Sequence, residues 1–140
     1  MLTPAELGYA AGVMDSDGSI SIGKWSKQGP RPYYYVDCVV VMADPRVPEW
    51  FHDHFGGYVM VKSYASANRR TIWLWRAKRS KVEELLEQIR PYLVFKRDQA
   101  WLALEFRAQC GGVHFGKGAP ISDEHGALQE GFYLAMKGMH

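Results

Sequence analysis

Apolar positions along this chain recur at two different spacings, and each change of spacing marks a new element. Residues 4–14 carry a helical pattern that opens with Thr3 as N-cap and Pro4 at the first helical position. From Ser19 the period becomes two, with Ile20 and Ile22 on one side and Ser19, Ser21, Gly23 and Trp25 on the other. The run KQGPRP (Lys27–Pro32) is turn chemistry. A second strand follows over Tyr33–Met42, placing Tyr34, Val36, Cys38, Val40 and Met42 on one face and Tyr33, Tyr35 and Asp37 on the other. Asp44 and Pro45 predict the next helix start, a capping carboxylate followed by proline, and Phe55-Gly56-Gly57 its end.

A third strand spans Tyr58–Tyr64, with Val59 and Val61 inward and Tyr58, Met60, Lys62 and Tyr64 outward. Ala65–Asn68 turns the chain, and Arg70–Ala77 returns as a fourth strand whose inward residues are assigned as Ile72 and Leu74. Val82, Leu85, Leu86 and Ile89 sit at i, i+3, i+4 and i+7, a clear amphipathic helix that Pro91 ends. Another helix covers Lys96–Ala108, a glycine-rich loop Gly111–Pro120, and a last helix starts at Ser122 with Asp123 and Glu124 at its positive end.

The order αββαββα, with further helices behind it, predicts an α+β fold. Its four-stranded antiparallel sheet would carry helices on one face, in a single domain over residues 1–140. The other face would present Trp25, Tyr33, Tyr35, Asp37, Tyr58, Lys62, Tyr64, Arg69 and Thr71. That surface is too polar for a core and too aromatic for plain solvent.

Composition narrows the picture only modestly. The 140 residues include 17 Lys+Arg and 15 Asp+Glu, a formal +2 that does not by itself mark a nucleic-acid binder. Distribution says more, since basic residues gather at Lys24, Lys27 and Arg31, at Lys62, Arg69 and Arg70, and from Arg76 to Lys81. No apolar run reaches the ~20 residues of a membrane span, and MLTPAELG has no signal-peptide core. Cys38 and Cys110 show no metal or disulfide spacing. The expectation is an intracellular protein of the cytoplasm or an organellar matrix, neither secreted nor membrane-bound.

The stretch GYAAGVMDSDGSISI (Gly8–Ile22) holds the chemistry. Gly8, Ala11, Gly12 and Asp15 fall on one side of the first helix, where small residues permit close helix-to-helix approach. Asp15 and Asp17 stand at the helix C-terminus, which the helix dipole makes unfavourable for negative charge. Two acids beside exposed carbonyls make a hard-oxygen site suited to Mg²⁺ or Ca²⁺. An EF-hand loop is excluded, because its sixth position would be Ile20 and its twelfth Ser26. On the residues alone, a turn with solvated acids explains the stretch equally well.

AAGVMDSDG (Ala10–Gly18) matches the LAGLIDADG motif position by position in small, apolar and acidic character. Met42–Val59 (MADPRVPEWFHDHFGGYV) resembles the second helix of the LAGLIDADG homing endonucleases, closing on Phe-Gly-Gly. Trp73–Phe106 is similar to their strand-helix segment leading to Pro-Tyr-Leu and a lysine, and Ser122–His140 to their closing helix. The resemblance implies a single-motif homodimer that cuts long, roughly palindromic double-stranded DNA with Mg²⁺, or with Ca²⁺ or Mn²⁺ in the same sites. It carries the metal-ligand role onto Asp17 and the Ser16 carbonyl, and catalysis onto Asp17 and Lys96. Gly8, Ala11, Gly12 and Asp15 become the dimer interface, with Asp15 also a structural acid at the helix end. Base reading falls to Ser21, Trp25, Lys27, Tyr35, Asp37, Lys62, Tyr64, Arg69 and Thr71.

One departure opens an alternative. The family often carries Asn or Gln at the end of the second strand, where Met42 and Ala43 stand here. A nuclease-inactive relative, acting as an RNA splicing cofactor (maturase) or a DNA-binding regulator, has the same sequence features. His52-Asp53-His54 is read as helix surface, since residues two apart on a helix diverge by about 200°. GGVHFGKG (Gly111–Gly118) lacks the closing Lys-Ser/Thr of a phosphate loop. A small-molecule binding module using the aromatic sheet face is the reading outside nucleic acids.

Overall fold

The computed structural model describes residues 1–25, 32–63, 70–111 and 122–140. Helix α1 (Pro4–Asp17) is opened by a full capping box: Thr3 Oγ1 accepts from the Glu6 N–H at 3.1 Å, and Glu6 accepts from the Thr3 N–H at 3.0 Å. The chain passes directly into β1 (Gly18–Trp25), then β2 (Tyr33–Met42), α2 (Arg46–Phe55), β3 (Tyr58–Lys62) and β4 (Ile72–Lys78). Helix α3 (Ser80–Ile89) runs into a 3-10 turn at Arg90–Tyr92 where Pro91 removes a donor. Helix α4 (Arg97–Phe106) relaxes into a π turn at Arg107–Gly111, and α5 (Asp123–Gly138) starts on Ser122, whose Oγ accepts from the His125 N–H.

The four strands form one antiparallel sheet in the order β1-β2-β4-β3, so the two hairpins meet through β2 and β4. Register fixes the faces, because directly paired residues point the same way. Ile20 pairs with Cys38 and Ile22 with Val36; Val40 pairs with Trp75, and Trp75 in turn with Val59. These residues face the helices. The core beneath them includes Phe51, Trp75, Val82, Leu85, Leu86, Ile89, Leu93, Ala100, Phe106 and Met136. Phe51 meets Trp75 with ring centroids 5.0 Å apart, and the Trp75 indole N–H donates to the Gly56 carbonyl at 2.7 Å. Gly57 adopts φ 81°, and a Cβ there would stand 2.5 Å from the Arg76 carbonyl. The Phe-Gly-Gly turn is therefore fixed by space as well as by backbone angle.

The fourth strand overturns one expectation. Ile72 pairs with Lys62 and Leu74 with Met60 and Val41, on the open face, while Trp73, Trp75 and Ala77 turn inward. In Ile-Trp-Leu-Trp every position is apolar, so alternation alone could not orient it. Thr71 stands before β4, half-buried. Val61 shares the core side of β3 but is 57% exposed, because the core covers that edge strand only as far as Val59. Helix α2 begins at Arg46 in place of Pro45. Asp44 still accepts from the Arg46 N–H at 2.8 Å, and the Arg46 guanidinium with that N–H holds its carboxyl down to about 2.

Helix α5 is tied to the sheet by Glu130, which accepts from Lys24 Nζ at 2.8 Å and from the Tyr34 hydroxyl. His54 ties α2 to α1 through Glu6 at 3.0 Å. Among the described residues, no helix is long and apolar enough to cross a membrane.

Candidate functional site

The site grows where the C-terminus of α1 meets the turn that leads into α4. An α-helix leaves its last four carbonyls without intrahelical partners, and those of α1 belong to Met14, Asp15, Ser16 and Asp17. Lys96 Nζ donates to the Met14 carbonyl and to the Asp15 carbonyl, each at 2.8 Å. In return the Asp15 carboxylate accepts the backbone N–H groups of Val94 at 2.8 Å, Lys96 at 2.9 Å and Phe95 at 3.1 Å, in the turn before α4. A cation thus sits at the negative end of α1, and the Asp15 carboxylate is fixed by the turn that leads into α4.

Charge states follow from this clamp. Burial works to raise the Asp15 pKa, but the N–H groups of Val94, Lys96 and Phe95 overrule it and hold the carboxyl below its ordinary value. Lys96 is only 8% exposed, and its pKa is lowered by that burial against the opposing pull of Asp15 and Asp17. Asp17, two residues beyond Asp15, is exposed to solvent. Ser16 bonds back to the Gly12 carbonyl at 2.9 Å. Gly18 closes the motif for want of space: at φ −89° its backbone is ordinary, but a Cβ would lie 2.8 Å from Met14 Cα and 3.0 Å from the Met14 carbonyl.

The outward side of α1 differs from expectation in part. Gly8 is half-buried and Gly12 exposed, and a Cβ at either meets nothing within 4 Å in the protomer. Ala11, by contrast, is fully buried in the chain's own core beside Ala10 and Met14, which removes it from any exposed helix interface. Asp15 is likewise committed to residues 94–96 of the same chain. The open stripe runs through Ala5, Gly8, Tyr9, Gly12 and Ser16.

The open sheet face presents Trp25 and Tyr33 about half exposed, with Tyr58, Met60, Val41 and Lys62 also exposed. Tyr35 lies across Gly23, where any side chain would run into its ring, and stacks with Tyr33 at 6.1 Å. Ser21 shares this face, but its hydroxyl donates to Asp37 at 2.6 Å, and Asp37 is buried at 6% exposure. A buried, partnered Asp37 cannot contact a base directly. Lys27, Tyr64 and Arg69 lie outside the described residues. Sequence reasoning missed Arg76 and Lys78 on this face; two charges spaced by two were the available sign that β4 points Leu74, Arg76 and Lys78 outward.

No family model matches the sequence, and no curated protein matches it either. The fold has clear relatives among solved structures. The archaeal intron-encoded homing endonuclease I-Vdi141I, complexed with DNA, is similar at a TM-score of 0.77 and 14% identity, over 97% of this chain and 84% of that one. The homing endonuclease I-TnaI is similar at 0.70 and 15% identity, over 96% and 88%. I-CvuI, in complex with its DNA target in the presence of 2 mM Ca, is similar at 0.64 and 17% identity, over 96% and 94%. The LAGLIDADG enzyme I-SmaMI, bound to cleaved DNA, is similar at 0.66 and 16% identity, but this chain spans only 43% of it. The fold is that of the LAGLIDADG homing endonucleases.

Proposed function

We propose, on the premise of that fold, that the chain is a homodimeric, site-specific DNA endonuclease dependent on a divalent metal. The observation that carries the reading is the exposed Asp17 carboxylate at the end of α1, within electrostatic reach of a buried Lys96. Among the described residues, no three His, Cys, Asp or Glu side chains converge to cage a metal. One exposed carboxylate with the neighbouring Ser16 carbonyl does fit Mg²⁺, which takes one or two carboxylates and completes its shell with substrate phosphates and water. Asp17 and Ser16 from two copies, together with the scissile phosphates, would hold it. When bound, the ion neutralises the phosphate and acidifies a water.

The protein's own groups do the rest. Lys96 has three donors, of which two go to Met14 and Asp15. The third has no hydrogen-bond acceptor among the described residues and would be the one to polarise water or a phosphate oxygen. Pairing of two α1 helices along Gly8 and Gly12 would bring both Asp17 side chains onto adjacent phosphates. The sheet face would then lie in the major groove. β2 has ten residues, about 33 Å at ~3.3 Å each, or about ten base pairs per protomer. A roughly palindromic target of about twenty base pairs follows from two-fold symmetry.

A second reading, DNA or RNA binding without cutting, has one observation in its favour. Met42 packs against the core, and Asp44 is occupied by Arg46, so the end of β2 offers no free polar group to order water. The test is to incubate the protein with randomised duplex DNA and Mg²⁺ and to sequence the ends. A recurrent two-fold-related cut site supports the nuclease; salt-sensitive retention of duplex with no cut ends supports the second reading.

A further inference from the structure

Asp37 is the one acid among the described strand residues of the open face, and a bare carboxylate there would repel a phosphate backbone. It is not bare. Ser21 donates to Oδ1 at 2.6 Å, and Arg76 Nε stands 3.4 Å from Oδ2. The two charged residues are diagonal neighbours, since Asp37 pairs with Lys78 and Val39 with Arg76. Arg76 Nε is buried and makes no hydrogen bond. The two terminal nitrogens have no partner among the described residues, and the side chain remains 29% exposed. Tyr58, directly opposite Arg76, belongs to the same open face.

A guanidinium is a rigid planar fork. Turning its Nε edge toward a fixed carboxylate restricts the plane and leaves the terminal nitrogens as a pair of donors. Guanine offers a matching pair of acceptors, O6 and N7, in the major groove. We propose that Arg76 reads one guanine in each half-site and that Asp37, itself fixed by Ser21, positions Arg76 for it. This inference rests on the sheet face meeting DNA, but not on cleavage.

Binding selection without metal therefore tests it. Full-length wild type, Arg76→Ala, Arg76→Lys, Asp37→Asn and the Asp37→Asn/Arg76→Ala double variant are each used to select from a randomised duplex pool, with thermal melts to verify folding. Wild type should enrich guanine at one position per half-site by about 5- to 150-fold, the range of one bidentate contact. Arg76→Ala should erase that preference alone, and Asp37→Asn should weaken the same position. The double variant should lose no more than Arg76→Ala, because the two act as a unit. Arg76→Lys keeps the charge and should keep overall affinity while losing most of the preference. An unchanged profile for Arg76→Ala and Arg76→Lys overturns the proposal. So does uniform weakening across all sequences with a salt slope reduced by about one, the mark of a phosphate contact. If Asp37→Asn leaves the position intact, Asp37 is not a positioning residue. No salt-sensitive binding by wild type would sink the DNA-surface reading itself, and this inference with it.

Discussion

Replacing Gly12 by alanine should stabilise the isolated protomer and weaken its self-association, two effects of opposite sign from one methyl group. Inside a helix, glycine is about 1 kcal/mol worse than alanine, and a Cβ at Gly12 meets nothing within 4 Å in the protomer. The lone chain should therefore gain about 1 kcal/mol, a rise of roughly 3–5 °C in Tm for a protein of this size. In a dimer packed along α1 the same methyl falls into the helix contact twice. Overpacking costs about 1–3 kcal/mol per site, so the pair should lose about 2 kcal/mol or more, roughly thirtyfold in Kd. Sedimentation across a micromolar dilution series measures association. Melts at a dilution where both proteins are monomeric isolate the other term, since a dimer's Tm depends on concentration. Gly12→Leu should leave monomers only. Unchanged association in Gly12→Ala, or a wild type that stays monomeric at micromolar concentration, refutes pairing through this helix.

Three further outcomes follow from the same geometry. Asp15 has its pKa lowered in the folded state, so its stabilisation is complete above the unfolded value near ~3.9 and is lost as pH falls through the lower folded value. Asp15→Asn should flatten the acid limb of stability measured by urea melts between about pH 2 and pH 5. Lys62 is exposed on the open face; Lys62→Ala should reduce the salt slope of DNA binding by about one if it meets a phosphate, and relax one base position if it meets guanine. Leu85→Ala, deep in the core, should cost about 2–5 kcal/mol, while Val61→Ala should cost well under that because Val61 is already exposed.

The contrast between what was and was not legible in the sequence has physical causes. Val82, Leu85, Leu86 and Ile89 announced α3, and each is fully buried, because helical spacing leaves one reading. The faces of β1 and β2 were likewise legible, because Ser19, Ser21 and Asp37 mark the outward side. β4 was harder to read, because its first four residues are all apolar and only Arg76 and Lys78 beyond them marked the outward side. At the site, the motif pointed to Asp17, and the segment leading to Pro-Tyr-Leu and a lysine pointed to Lys96, as candidates. The long-range clamp between Asp15 and residues 94–96 had no local trace, for it joins groups about eighty positions apart. Nor could spacing show that Ala11 faces inward and Gly12 outward, since helix neighbours differ by only about 100°. That choice was made by the sheet and by α3 packing beneath it.

If Asp17 brings a divalent metal to a DNA phosphate, wild type and Asp17→Asn must differ in cutting and not in binding. Both proteins are given the duplex that wild type selects, with and without Mg²⁺, and cleavage and binding are measured side by side. Wild type should cut only with Mg²⁺. Asp17→Asn should bind with similar affinity and not cut, because the substitution removes a ligand charge and no phosphate contact. Equal cutting by the two proteins, or cutting by wild type without a divalent metal, would remove Asp17 and its metal from the reaction.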